Sequence, residues 1–300
     1  MAVGLRTKLK KWHFNFSARG IYKTKLAACD PASNVIILSQ LHSPDLTMYV
    51  VAAKSFARFV PPREFVLVDD GLTETDKSIL SRHFEKIRFI PIKSVQTGAC
   101  PKGGTWERLL SIANLNSAHY VIQLDADTLT VAPPREVSEA ISQNRSFTLG
   151  TWGGRETTSL KTASEFARKH PGTHVQLMAE AAFGDFENAE QLRYVRGCSG
   201  FAGFSPGSLS LSKIEDFSQR VSTAIGADKW REWGSEQVTS NYMVANAQNP
   251  LILPVEHYPF WAPGLAASEL RLIHFVGSYR FSGGRYAAMA RTIIDALGAA

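Results

Sequence analysis

The chain has few cysteines. Cys29, Cys100 and Cys198 are odd in number, far apart and outside any Cys-x-x-Cys spacing, which argues against a disulfide framework or a structural zinc and reads as reduced packing residues. Long apolar runs are also missing: none approaches the roughly 18 residues that a membrane span needs. Residues 1–30 contain no apolar core of the signal-peptide type, so export by that route is not expected and a cytoplasmic setting fits. There is no internal repeat and no Pro/Gly-rich linker. What remains is ordinary globular composition, 44% hydrophobic and 20% charged over 300 residues, enough for one large α/β domain or two small ones.

Charge is unevenly spread. Arg6, Lys8, Lys10, Lys11, Arg19, Lys23 and Lys25 stand against Asp30 alone, so the first 30 residues carry the whole formal net charge of +6. The other 270 residues are neutral on balance, which speaks against a nucleic-acid-binding core, since that would need its own basic face. The basic stretch interleaves Trp12, Phe14, Phe16 and Tyr22 with its cations. Such a mix suits an anionic lipid surface and a peripheral place on the inner face of a membrane; the alternative is a solvated basic tail. We therefore read residues 1–32 as an arm and residues 33–300 as a single domain.

The first half of that domain alternates strand and helix signals. Val35–Leu38 is a short apolar strand, and Ser43-Pro-Asp45 opens a helix with Ser as N-cap and Pro in the first helical position. Leu46, Tyr49, Val50, Ala53 and Ala57 then recur at three- and four-residue steps, the pattern of a helix packed on a sheet. Phe65–Val68 is the next strand, ending in Asp69-Asp70-Gly71. Thr73 with Asp76 resembles a capping box, and the helix it opens would bury Ile79, Leu80 and Phe84. Residues 87–92 form a third strand, and a helix over about 105–115 leads into a fourth. Repeated β-α units predict a parallel sheet with right-handed crossovers, a nucleotide-binding type of α/β domain.

The fourth strand, Tyr120–Leu124, runs straight into Asp125-Ala-Asp127. Ligands of open α/β sheets collect beyond the carboxyl ends of such strands, and residues i and i+2 of an extended segment point the same way. The two carboxylates would converge on one divalent cation and, through it, on a phosphate. An Asp-x-Asp is equally able to cap the amides of a turn. In the second half three pieces stand out. Arg196 to Phe204 is glycine-rich beside large apolar residues, which suggests backbone passing close to a ligand or another strand. Residues 233–241 place polar side chains at a helix start. Arg271 to Arg280 is a strand leading through His274 to a glycine and an arginine; with the Asp pair, His274 would offer an imidazole to a metal while Arg280 holds phosphate oxygens.

Together Asp125-Ala-Asp127, His274-Phe-Val-Gly277-Ser-Tyr-Arg280 and Met48 to Phe56 resemble glycosyltransferase family 8, over roughly residues 34–281. The resemblance implies the GT-A fold, a Rossmann-like α/β architecture with a mixed, mostly parallel sheet, and a retaining, metal-dependent hexosyltransferase of polysaccharide or lipopolysaccharide synthesis. It implies Mn2+ (or Mg2+) on Asp125, Asp127 and His274, and a diphosphate held by Gly277 and Arg280, with Arg280 in place of the usual Lys. Arg108 matches a donor-binding arginine. Glu236, Gln237 and Asn241 look like the Asp-Gln-x-x-x-Asn segment at the reacting sugar, with Glu for Asp. Ser39, Gln40, Asp69 and Asp70 sit where the family holds the nucleoside. Cys198-Ser199-Gly200 stands where members usually have Asn-x-Gly, which keeps Gly200 at the sugar but loses the amide.

The implied partners are a nucleotide-sugar donor, a UDP-sugar in the first instance, and a saccharide or lipid-linked saccharide acceptor. Breaking the donor's bond to the anomeric carbon develops negative charge on a phosphate oxygen, and the cation with Arg280 would meet it. In a retaining reaction the departing phosphate takes the acceptor proton. The Asp69-Asp70-Gly71 turn also looks like a signature of the inverting family 2 enzymes; there a carboxylate base is needed, and Glu236 or Asp185 is the candidate. Two other classes differ by features of the sequence. A nucleotidyltransferase would carry a basic glycine-rich phosphate loop, and residues 35–45 contain neither glycine nor Lys or Arg. A non-catalytic nucleotide-sugar-binding protein would not need its metal ligands intact.

Overall fold

A computed structural model describes residues 2–265 and 269–299; the side chains of residues 2–7, Arg6 among them, and of Ser278 lie outside the described part. The strands are β1 (Val35–Leu41), β2 (Glu64–Asp69), β3 (Ile87–Pro91), β4 (Tyr120–Leu124), β5 (Thr128–Thr130), β6 (Phe147–Leu149), β7 (Thr158–Ser159), β8 (Arg193–Tyr194), β9 (Cys198–Phe204), β10 (Leu251–Leu253) and β11 (Leu272–His274). The α-helices are α1 (Ala2–Ala18), α2 (Leu46–Ala57), α3 (Glu74–His83), α4 (Trp106–Asn116), α5 (Arg135–Ser142), α6 (Leu160–Lys169), α7 (Val175–Ala182), α8 (Leu211–Ile225), α9 (Ala227–Trp230), α10 (Ser235–Ala245) and α11 (Arg285–Leu297). Seven strands form one sheet in the order β10-β6-β9-β4-β1-β2-β3. It is mixed, since β1 and β2 run parallel, as do β6 and β10, while β6 and β9 run antiparallel. The α/β class and mostly parallel sheet expected from the sequence are there.

Two compact units share the chain: Met1–Ile90 with Leu124–Ser138 and Glu256–Ala300, and Pro91–Gln123 with Glu139–Val255. In the first unit β1 and β2 are the apolar runs that the sequence announced, each buried through its middle. The capping box also forms: Thr73 accepts from the Asp76 amide and Asp76 accepts from the Thr73 amide. Helix α2 is covered on every side: all 12 of its residues are buried. Helices α1 and α11 pack over its outer side, so no solvent face remains. Nor does Ser43 cap it. The Ser43 hydroxyl donates to Asp76 Oδ2 at 2.7 Å, and residues Ser43–Asp45 form a separate 3-10 turn.

Residues 2–18 form a helix, and Phe14, Ala18 and Ile21 are core residues. The Phe14 ring lies 4.2 Å, centroid to centroid, from that of Tyr286 on α11. Further along, Lys54 of α2 donates through Nζ to Thr24 Oγ1 at 2.9 Å and to the Lys25 carbonyl at 2.6 Å, with His83 Nδ1 at 3.0 Å. Burial lowers the Lys54 ammonium to about 8. Burial and then the charge of Lys54 lower His83 to about 4.

The second unit is organised on β9 and α10. Every residue of β4 is buried, as suits a strand without a solvent face. The glycines before and in β9 mark close backbone approach: a Cβ on Gly197 would lie 2.7 Å from the Leu149 carbonyl oxygen and 3.1 Å from Asn241 Oδ1. Asn241 of α10 uses its amide there, donating through Nδ2 to the Gly197 carbonyl at 2.9 Å and accepting from Thr148 Oγ1 at 3.2 Å.

Candidate functional site

Strand β4 ends at Leu124, and the chain turns at once into the first unit's segment Leu124–Ser138. The Asp125 carbonyl accepts from the Thr128 amide at 3.2 Å and the Thr128 hydroxyl at 2.8 Å, so the turn is closed through the Asp125 backbone carbonyl. Strand β5 then pairs antiparallel with β11, with Thr128 opposite His274. The Phe275 amide donates to the Asp127 carbonyl at 2.8 Å. This two-stranded ribbon carries the imidazole to the Asp pair: one ligand atom from each of Asp125, Asp127 and His274 lies within 4.8 Å of the others. Nε2 of His274 is 3.1 Å from Asp127 Oδ1 and 3.8 Å from Asp125 Oδ2. Asp127 and His274 are buried and Asp125 is half-buried, which leaves the cluster one accessible side.

Arg280 joins the same cluster. Gly277 has φ +67, a left-handed conformation that glycine adopts without strain, and it turns the chain between His274 and Arg280. The Arg280 Nε then donates to the Phe275 carbonyl at 2.9 Å, and Nη2 reaches Asp127 Oδ2 at 2.5 Å. Burial acts to raise the Asp127 carboxyl, but His274 and Arg280 outweigh it and hold the group below the usual carboxylate range. An ionised, buried carboxylate beside an imidazole is a competent hard-cation ligand.

The residues read as nucleoside contacts divide. The Ser39 hydroxyl donates to the Leu124 carbonyl at 2.5 Å, and its side chain is buried. Asp69 accepts from the Leu72 amide at 2.7 Å and the Gly71 amide at 3.1 Å and pairs with Lys77 at 3.0 Å, so it builds the turn itself. Asp70 is exposed and accepts from Gln40 Nε2 at 3.1 Å. The Gln40 Oε1 is buried with no hydrogen-bond partner among the described residues.

The second unit holds the rest. Arg108 of α4 donates through Nη2 to Glu236 Oε2 at 3.2 Å, and the pair is buried, 7% and 2% exposed. The same oxygen accepts from the Thr105 hydroxyl at 2.9 Å and the Ser199 hydroxyl at 3.3 Å. Thr105 reaches it from a left-handed backbone, φ 75, at the start of α4. Gln237 is half-buried; its Oε1 accepts from the Ser199 amide at 3.3 Å, and its Nε2 donates to Gln176 Oε1 at 3.4 Å. Gln176 in turn donates to Glu180 Oε1 at 2.8 Å, where Tyr194 OH and Arg196 Nε also meet, at 3.1 and 3.4 Å. Burial outweighs these partners and raises the Glu180 carboxyl. Gly200 lies buried within β9. Asp185 is 73% exposed and takes both its oxygens to Arg168 Nη2, at 2.9 and 2.8 Å. Thr105 and Gln176 were not singled out from the sequence. The Gly103-Gly104 pair was a signal for an unusual turn before Thr105; Gln176 had none, since its place depends on how α7 meets α10.

No family model matches the chain, and no curated protein matches it. Solved structures do. The galactosyltransferase LgtC, solved with donor and acceptor sugar analogs, aligns with a TM-score of 0.52 at 9% identity, over 86% of this chain and 95% of that one. The bifunctional glycosyltransferase WbbM, solved in its apo form, aligns with a TM-score of 0.50 at 14% identity, over 84% of this chain and 47% of WbbM. This chain thus spans about half the length of WbbM. The likeness is one of fold, and the chain has the GT-A fold of these glycosyltransferases.

Proposed function

We propose that the chain is a metal-dependent glycosyltransferase. It moves a hexose from a nucleotide-diphosphate sugar, of the UDP class, to a saccharide acceptor, free or lipid-linked, with retention at the anomeric carbon. The observation that carries this reading is the Asp125, Asp127 and His274 donor set, within 4.8 Å, beside Arg280 on a GT-A fold. Two carboxylates and one imidazole suit a divalent cation, and the nitrogen donor favours Mn2+ over Mg2+. Bound there, the cation would supply Lewis-acid stabilisation of the charge that develops on the leaving diphosphate.

The chain's own groups have these parts. Asp125, Asp127 and His274 hold the cation, and Gly277 sets the turn that aims Arg280. The Arg280 guanidinium, rooted on the Phe275 carbonyl, offers a planar fork to phosphate oxygens. Gln40, with its buried and unpartnered Oε1, accepts from the nucleoside, and the exposed Asp70 beside it suits ribose hydroxyls. In the second unit Gln237 is the polar side chain of α10 that serves the transferred sugar. Glu236, 2% exposed, orients Arg108 and positions rather than reacts. A retaining reaction requires no carboxylate base, which accords with the burial of Glu236 and with Asp185 being engaged by Arg168. Residues 1–30 are the part that meets an anionic membrane, where a lipid-linked acceptor resides.

The test is release of nucleoside diphosphate from a panel of nucleotide sugars, with and without Mn2+. One donor should be cleaved slowly in water and faster with an acceptor, only with the cation present. Full turnover in excess chelator would remove the metal from the reading. Tight donor binding without turnover on any acceptor would make the chain a binding protein.

A further inference from the structure

Helix α1 has two unlike faces. At about 100° per residue, Leu9, Trp12 and Phe16 fall on one side, and they are 58%, 64% and 50% exposed. Phe14 and Ala18 fall on the other and are buried. The Trp12 and Phe16 rings stack with centroids 5.6 Å apart, so the exposed side is a continuous apolar edge. Exposed Lys8, Lys10 and His13 flank it. At the C-terminal end of the edge lies a hollow of about 670 Å3 lined by Phe16, Arg19, Lys23 and Arg291, with no Asp or Glu among its lining residues. The Arg19 guanidinium sits 4.1 Å over the Phe16 ring. Among the described residues no helix is long and apolar enough to cross a membrane.

We infer that this edge and this hollow form one contact for the surface of an anionic phospholipid bilayer. Leu9, Trp12 and Phe16 enter the boundary between headgroups and acyl chains, and Arg19, Lys23 and Arg291 receive lipid phosphates. Two observations favour a bilayer over a soluble polyanion. Exposed aromatic side chains cost nothing to leave in place if a membrane covers them, whereas a purely electrostatic partner gives them no role. The packing of Phe14 against Tyr286 also holds the edge outward on a folded base, so the helix need not form at the membrane. The inference gives the membrane expectation for residues 1–30 its residues and is independent of the transfer chemistry.

The experiment is co-sedimentation of the full chain with vesicles of phosphatidylcholine alone and of phosphatidylcholine mixed with phosphatidylglycerol. Binding is expected to the mixed vesicles only, weakening as salt rises. Replacing Arg19, Lys23 and Arg291 together by Gln should weaken it by about a hundredfold, at roughly fivefold per charge. Trp12→Ser with Phe16→Ser should weaken it by about tenfold or more, and Trp12→Ser alone should abolish quenching of tryptophan fluorescence by brominated lipid. All five side chains are exposed, and thermal melting monitored by circular dichroism checks that the variants are folded. Equal binding to neutral vesicles would overturn the inference. So would unchanged binding of the Trp12→Ser, Phe16→Ser variant, which would leave only a basic patch for any polyanion.

Discussion

Arg280 Nη2 stands 2.5 Å from Asp127 Oδ2, while the other oxygen of the same carboxylate faces His274 Nε2 at 3.1 Å. One buried carboxylate therefore positions both the imidazole and the guanidinium. The first two predictions separate the cation and phosphate roles proposed for them.

Asp127→Asn is expected to lower Mn2+ affinity by roughly two orders of magnitude or more, since the shared anionic ligand is lost. His274→Ala removes one neutral ligand and should weaken Mn2+ less. Titration of free Mn2+ by electron paramagnetic resonance reads both directly, without turnover. Equal affinity in wild type and Asp127→Asn would place the cation elsewhere.

Arg280→Ala should leave Mn2+ binding largely intact and weaken binding of nucleoside diphosphate by about 10- to 100-fold, the range of a lost charge-assisted hydrogen bond. Arg280→Lys should recover most of it, because the charge is kept although the fork is not. Calorimetric titration with UDP in saturating Mn2+ measures the difference, and identical affinities would take Arg280 out of the phosphate site.

Glu236 and Gln237 are neighbours with opposite expectations. Glu236→Ala removes the carboxylate that accepts from the buried Arg108 guanidinium, Thr105 and Ser199, and should cost about 3 kcal/mol or more of stability. Gln237→Ala, at a half-buried position, should cost no more than about 1 kcal/mol and lower transfer by about tenfold or more. Urea unfolding midpoints and donor turnover, measured on both variants, distinguish them; a Gln237→Ala variant with full transfer would free that residue of any role at the sugar.

Gly197→Ala should destabilise the second unit by about 1–3 kcal/mol, because the new methyl meets backbone on β6 and not a movable side chain. The contact distance of 2.7 Å to the Leu149 carbonyl leaves no room for it. Thermal unfolding checks this, and an unchanged melting temperature would mean that β6 and β9 pair more loosely than described.

Lys54 gives a pH dependence. Its ammonium is lowered by burial from the ordinary 10.5 to about 8 in the folded chain. Between those values the unfolded chain binds the proton and the folded chain does not, so this group's contribution to stability rises with pH across that window. In Lys54→Met the rise should be absent. Urea unfolding of wild type and variant at pH 8 and pH 10 measures the difference in slope, and parallel slopes would show an unshifted lysine.

Some of this molecule was readable without coordinates because its signals are local. An apolar run fixes β1, β2 and β4 whatever surrounds them, since burial of the run is favourable in any sheet. The Thr73 and Asp76 capping box involves residues three apart and forms as read. The Asp-x-Asp at the end of β4 sits where strand ends place ligands. Chain-distant relations were not readable. The three- and four-residue steps of α2 report its face against a sheet and say nothing of what α1 and α11 bring to the other. His274 could be named as a ligand but not placed, because its approach to Asp127, 147 residues away, depends on the register of β5 with β11.

The amino-acid sequence by itself determined the α/β alternation, the charge of the first 30 residues and the residue types able to hold a cation. Only the tertiary structure decided that Arg280 leans on Asp127, that Arg108 donates to Glu236, and that Phe14 turns inward while Trp12 and Phe16 face out. The reason is that hydrophobic pattern and local hydrogen bonding act over a few residues. Pairing of buried charges is settled by which long-range contacts leave each one compensated.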